Sequence, residues 1–109
     1  MPSREERVAQ NEAASREINE GIEEAHEGRA PERLVRMVCE CGRDPCDRLI
    51  AISLSEYEHV REDPRRFVVV PDHVMPDVEV VVEQTDRFVA VAKREGTPAA
   101  VAREEDPRS

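Results

Sequence analysis

A chain of 109 residues with 25 acidic and 16 basic side chains carries a formal charge of −9, and its length allows one domain. The acids exceed the bases throughout, with net charges of −4 over residues 1–33, −4 over 34–93 and −1 over 94–109. No basic stripe is present to neutralise phosphates, and the aromatics are Tyr57, Phe67 and Phe88 alone, so nucleic acid is not an expected partner.

Membrane insertion is not expected either. No apolar stretch approaches the roughly 20 residues of a span, and the N-terminus lacks a signal-type apolar region. The expected location is therefore the cytoplasm. In that reducing compartment three cysteines, an odd number, do not form a disulfide framework.

Residues 1–33 make an N-terminal helical segment. Positions 4 to 26 are strong helix formers, and Val8, Ser15, Ile18, Ile22 and Ala25 fall near one stripe. That thin stripe allows a helix docked on the core or on a second copy, and equally a solvated one. Gly28 and Pro31 punctuate its end.

Residues 34–93 hold the core. The β-branched run 34–39 predicts a strand and 48–52 predicts its return. Between them Gly42, Asp44 and Pro45 make a tight turn carrying Cys39, Cys41 and Cys46, so the cysteines sit at a hairpin tip. Ser53-Leu54-Ser55-Glu56 has the form of a capping box, with Ile52 and Tyr57 as its hydrophobic staple. The helix it opens runs over 54–62 and stops ahead of Pro64. Strands are predicted over 66–70, 78–83 and 87–93, with Gln84-Thr85-Asp86 as a hairpin turn and residues 71–76 as a loop bracketed by prolines. The polar segment 94–109 is expected to be a disordered tail. These elements predict an α+β fold: a small antiparallel or mixed sheet, a short packed helix, an N-terminal helix and a metal-stapled hairpin knuckle.

The chemistry lies in the cysteines. Three thiols within eight residues, around Gly, Asp and Pro, do not have the spacing of core residues, because turn tips are exposed. Zinc takes thiolates and imidazoles in a tetrahedron, so a fourth ligand must come from elsewhere. His26 belongs to the N-terminal helix and His59 to the surface of the second. His73, in the proline-bounded loop directly after the third strand, is the best candidate. The predicted metal ligands are Cys39, Cys41, Cys46 and His73. Glu40 stands between two of them, but side chains alternate along an extended chain, so it should point away and is not expected to serve as a general base.

Two resemblances bear on this cluster. Cys39-Glu40-Cys41 followed by Pro45-Cys46-Asp47 resembles part of the CDGSH iron–sulfur motif, which implies a 2Fe–2S cluster as the alternative to zinc. It departs from that motif in the short gap before Cys46 and in having no histidine close after it. More broadly, Asn11-Glu12, Glu17-Ile18-Asn19-Glu20, Val38-Cys39-Glu40-Cys41-Gly42, Leu54-Ser55-Glu56-Tyr57-Glu58, Asp63-Pro64-Arg65-Arg66-Phe67 and Pro71-Asp72-His73 resemble a family of small uncharacterised proteins of high-GC bacteria with a Cys-x-Cys-x4-Cys…His pattern. Its members tend to have Pro-Gly-His at 71–73 and bulkier apolar residues at Ala13 and Ala14. The resemblance implies His73 as partner of the cysteines and brings no activity with it.

The expected function is a zinc-stapled binding or regulatory module with a protein partner or self-association. A redox or iron–sulfur electron-transfer protein is the alternative. With four protein ligands the coordination sphere is closed, and no nucleophile constellation or phosphate-cradling glycine loop is visible, so no enzyme is expected.

Overall fold

The computed structural model describes residues 3–108. Helix α1 spans Arg4–Ala25. Strands β1 (Leu34–Val38) and β2 (Leu49–Ser53) form an antiparallel hairpin, followed by α2 (Leu54–Val60) and β3 (Arg66–Val69). A 3-10 turn over Pro71–His73 leads to β4 (Glu79–Gln84), β5 (Val89–Lys93) and α3 (Thr97–Glu104). The fold is α+β, with two small antiparallel sheets of order β1-β2 and β3-β5-β4. No described helix is long and apolar enough to cross a membrane.

Local chemistry accounts for most of these elements. Ser3 caps α1 by accepting the Glu6 amide at 3.1 Å, and Glu5 and Glu6 sit where the helix dipole favours acids. The capping box of α2 is complete: the Glu56 amide donates to Ser53 at 3.1 Å and the Ser53 amide to the Glu56 carboxylate at 2.9 Å. Ile52 and Tyr57, the staple residues, are both buried in the same apolar cluster. Glu56 also receives Arg87, which reaches from the β4–β5 loop to donate to its carboxylate and to the Ala51 carbonyl. Central strand β5 is buried along its whole length.

Three expectations are corrected. The sheet divides in two because the chain leaves β1 to build the knuckle. Within the knuckle, the Glu40 amide donates to the Val68 carbonyl at 2.8 Å, while the Val68 amide is taken by the Glu40 carboxylate rather than by a strand carbonyl. A side chain thus replaces the second rung of the ladder.

The tail expected over 94–109 instead contains α3, docked on α1. Small residues make this possible without an apolar run: Ala99 and Ala102 are buried, and the Ala102 carbonyl accepts from Arg16 at 2.6 Å. Beyond α3, Asp106 pairs with buried Arg61, and Arg108 with Glu20, Glu23 and Glu58.

The stripe expected on α1 is also displaced. Its buried positions are Ala9, Glu12, Ala13, Arg16 and Asn19, whereas Ile18 is 55% exposed. Polar side chains occupy this face because each finds a partner. Arg16 lies over the Phe67 ring and donates to the Pro64 and Ala102 carbonyls, and Glu12 pairs with Lys93, which also pairs with Glu79 at 2.5 Å. A buried charge is tolerated when it is paired in this way.

Candidate metal centre

The β1–β2 register ends at Val38↔Leu49, so residues 39–48 form the knuckle, closed at its base by the Cys39 amide donating to the Arg48 carbonyl at 3.0 Å. Gly42 turns the chain with φ +74°, a left-handed conformation that glycine adopts without a steric penalty. The extended stretch 38–41 sends alternate side chains to opposite faces. Cys39 and Cys41 go to one side and Glu40 to the other, where it accepts from Asn19 at 2.8 Å and from the Val68 amide at 2.9 Å.

His73 arrives from the other sheet. Strand β3 runs beside the knuckle, and the 3-10 turn after it, closed by the His73 amide on the Val70 carbonyl at 3.0 Å, aims the imidazole at the thiols. Its Nδ1 lies 3.8 Å from Cys39 Sγ and 3.6 Å from Cys46 Sγ. The donor atoms of Cys39, Cys41, Cys46 and His73 all lie within 4.8 Å of one another. Thus the four residues singled out in the sequence converge, and the group can hold a metal ion. His26 and His59 lie outside it: His26 Nδ1 is 2.8 Å from the Ile22 carbonyl, and His59 is exposed between Glu62 and Glu83.

The thiols are not free at an exposed tip. Cys39 and Cys41 are buried, with Cys46 and His73 half-buried. Both buried sulfurs accept backbone hydrogen bonds, Cys39 from the Val70 amide at 3.3 Å and Cys41 from the Arg43 amide at 3.5 Å. Such donors favour a thiolate and orient it, as partners of metal ligands do. Against them, burial pushes both thiols above their ordinary range, with the neighbouring cysteines adding to it at Cys39. A cation among the sulfurs reverses that balance, since a coordinating thiol is deprotonated.

Residues that the sequence reading passed over support the knuckle from behind. Asn19 of α1 grips the Val38 backbone twice, donating to its carbonyl at 2.9 Å and accepting its amide at 2.8 Å. Asn11 donates to the Gly42 carbonyl at 3.3 Å. The available signal is spacing: Ala9, Glu12, Ala13, Arg16 and Asn19 recur at helical intervals, but a polar face reads as a solvated one. Comparisons with protein-family models, curated proteins and solved structures find no match for this chain.

Proposed function

We propose that this chain is a small zinc-stapled binding or regulatory module. The observation that carries the reading is the convergence of three sulfurs and one imidazole nitrogen within 4.8 Å. A tetrahedral ion with Zn–S of about 2.3 Å and Zn–N of about 2.0 Å spaces its donors about 3.5–3.8 Å apart. The two sulfur–nitrogen separations, 3.6 and 3.8 Å, lie close to that spacing, and the other pairs fall inside 4.8 Å. A 2Fe–2S cluster divides its four protein ligands between two irons and so spreads them more widely; the compactness of this group favours a single ion.

Four protein ligands close the coordination sphere, and closed zinc sites are structural. Glu40, which stands between two of the ligands in sequence, faces Asn19 and Val68 rather than the cluster, and Asp72, beside His73, is exposed against Arg48; neither placement offers a general base to a metal-assisted hydrolase. The role left for the module is recognition, in the reducing cytoplasm where the thiols stay free for metal. The acidic surface suits a protein partner or a second copy and opposes nucleic acid.

The test is elemental analysis of protein purified without added metal, followed by chelation. One zinc per chain is expected, with a lower melting temperature after chelation. Cys41→Ser or Cys46→Ser should mimic the loss, and His73→Ala should retain partial affinity through the thiols. Protein with no metal and a stability indifferent to chelator refutes the reading. A red-brown sample transfers the site to the iron–sulfur alternative.

A further inference from the structure

Segment 38–42 has two faces with different clients. One presents Cys39 and Cys41 to the ligand cluster. The opposite face and the backbone are held by α1 through Asn19 on Val38 and Glu40, and Asn11 on Gly42. The contact at Gly42 is close: a Cβ there would stand 2.6 Å from the Val8 carbonyl oxygen and 2.6 Å from Glu12 Cγ. The ribbon that carries two ligands is therefore the ribbon on which the helix is seated.

The way α1 docks makes this coupling strong. A helix held by a broad apolar stripe tolerates small movements of its support, because the hydrophobic effect is non-directional. Here the fully buried apolar residues of α1 are Ala9 and Ala13, beside Glu12, Arg16 and Asn19, with Ile22 partly buried against the core cluster. Away from the knuckle α1 is anchored by Arg16 and by the Glu12–Lys93 and Glu20–Arg61 pairs, whereas its hold on the ribbon relies on hydrogen bonds, which weaken steeply with misalignment. Asn19 serves Val38 and Glu40 together and requires both to keep their positions. Those positions are set from the far side by the last pair of the β1–β2 ladder, Val38↔Leu49, the Cys39 amide on Arg48, the paired bonds of Glu40 and Val68 and the Val70 amide on the Cys39 sulfur. Coordination of Cys39 and Cys41 together with His73 would fix the ribbon against β3.

We infer that the metal centre regulates α1: metal loading locks the N-terminal helix onto the knuckle, and metal loss loosens that grip. This inference rests on the Cys3His site proposed above and adds a consequence to it. The two events share one free energy, so by linkage anything that undocks α1 must weaken metal binding by the factor with which the metal favours docking. Asn19 touches no ligand sulfur and no imidazole among its hydrogen-bond partners, yet it becomes a determinant of affinity.

Amide hydrogen exchange on the intact protein, zinc-loaded and chelated, tests this directly. Exchange over residues 8–20 should accelerate at least tenfold on chelation, and more than exchange in β5, the buried reference strand. Zinc affinity, measured by competition with a chromophoric chelator, should fall about tenfold in Asn19→Ala and less in Asn11→Ala, with Glu17→Gln on the exposed face as the unaffected control. Zinc binding without faster exchange in α1, or with the same acceleration in α1 and β5, overturns the coupling and leaves the metal site standing. Absence of zinc binding overturns both. The exchange arm uses the unaltered chain, so misfolding of a variant cannot obscure the result.

Discussion

Replacing Gly42 by alanine probes the seat of α1 with the smallest possible side chain. Two costs add. At φ +74° an L-residue loses about 1–2 kcal/mol to its own backbone. The new methyl would also stand 2.6 Å from a backbone oxygen, 2.6 Å from Glu12 Cγ and 2.8 Å from Val8 Cγ1, so helix or knuckle must move, at about 1–3 kcal/mol for overpacking. The sum, roughly 2–5 kcal/mol, is a large fraction of the stability of a domain. In urea, where small proteins lose about 1–3 kcal/mol per molar, the midpoint should fall by about 1–2 M. Two other glycines separate the terms. Gly28 has φ +86° with nothing within 4 Å of its Cβ position, so Gly28→Ala incurs the backbone cost alone. Gly21 lies within α1 in open space, so Gly21→Ala should stabilise by about 0.5–1 kcal/mol through helix propensity. The expected order is Gly21→Ala above the unaltered protein, then Gly28→Ala, then Gly42→Ala. If Gly42→Ala is no worse than Gly28→Ala, α1 does not clasp the knuckle.

Ser53→Ala should cost about 1 kcal/mol through loss of the cap; an unmoved denaturation midpoint would mean that the box does not hold α2. Burial lifts Glu12 from 4.5 to about 7 despite Lys93, so folding takes up a proton between those values. Its contribution is full below about pH 4.5 and is lost as pH rises through 7, on the order of 3 kcal/mol. Glu12→Gln should flatten that part of the stability profile, and identical profiles for both proteins would refute the assignment. Truncation after Glu95 removes the Ala102 carbonyl from Arg16 and Asp106 from Arg61, leaving buried guanidinium groups short of partners. A loss of about 3 kcal/mol or more is expected, whereas an unchanged melting temperature would show that the segment contributes nothing.

What was legible in the sequence was what local chemistry decides. The capping box spans four residues and needs no tertiary contact, and it opens α2 where the sequence placed it. The strands follow β-branched runs, and the thiols sit on a turn defined by its own Gly and Pro. His73 could be matched to them because few imidazoles compete and because its loop follows a strand. What remained hidden was long-range and polar. Arg16 stacks on Phe67 and reaches a carbonyl 86 residues away, and no periodicity marks such a partner. The same blindness made α3 look like a tail: Ala99 and Ala102 carry little hydrophobic signal, yet small side chains allow close packing onto α1.

These hidden contacts bear on why the molecule would use a metal. Its apolar cluster draws on β1, β2, α2, β3, β5 and Ala102 of α3, with Ile22 of α1 packed against it only partly buried. The two sheets share no strand, and the knuckle meets β3 through the paired bonds of Glu40 and Val68 together with the Val70 amide on Cys39 Sγ. A cross-link at that junction stabilises most when it closes a long loop, and His73 lies 27 residues beyond Cys46. An ion held by both would join the sheets where the peptide ladder is thinnest, on the face of the ribbon opposite the polar grip of α1. Apolar burial cannot substitute there, because the ribbon must expose its backbone to Asn11 and Asn19. The polar helix and the thiol cluster are in this sense one solution to one problem: a short, irregular segment between two sheets, fixed from both sides by directional bonds.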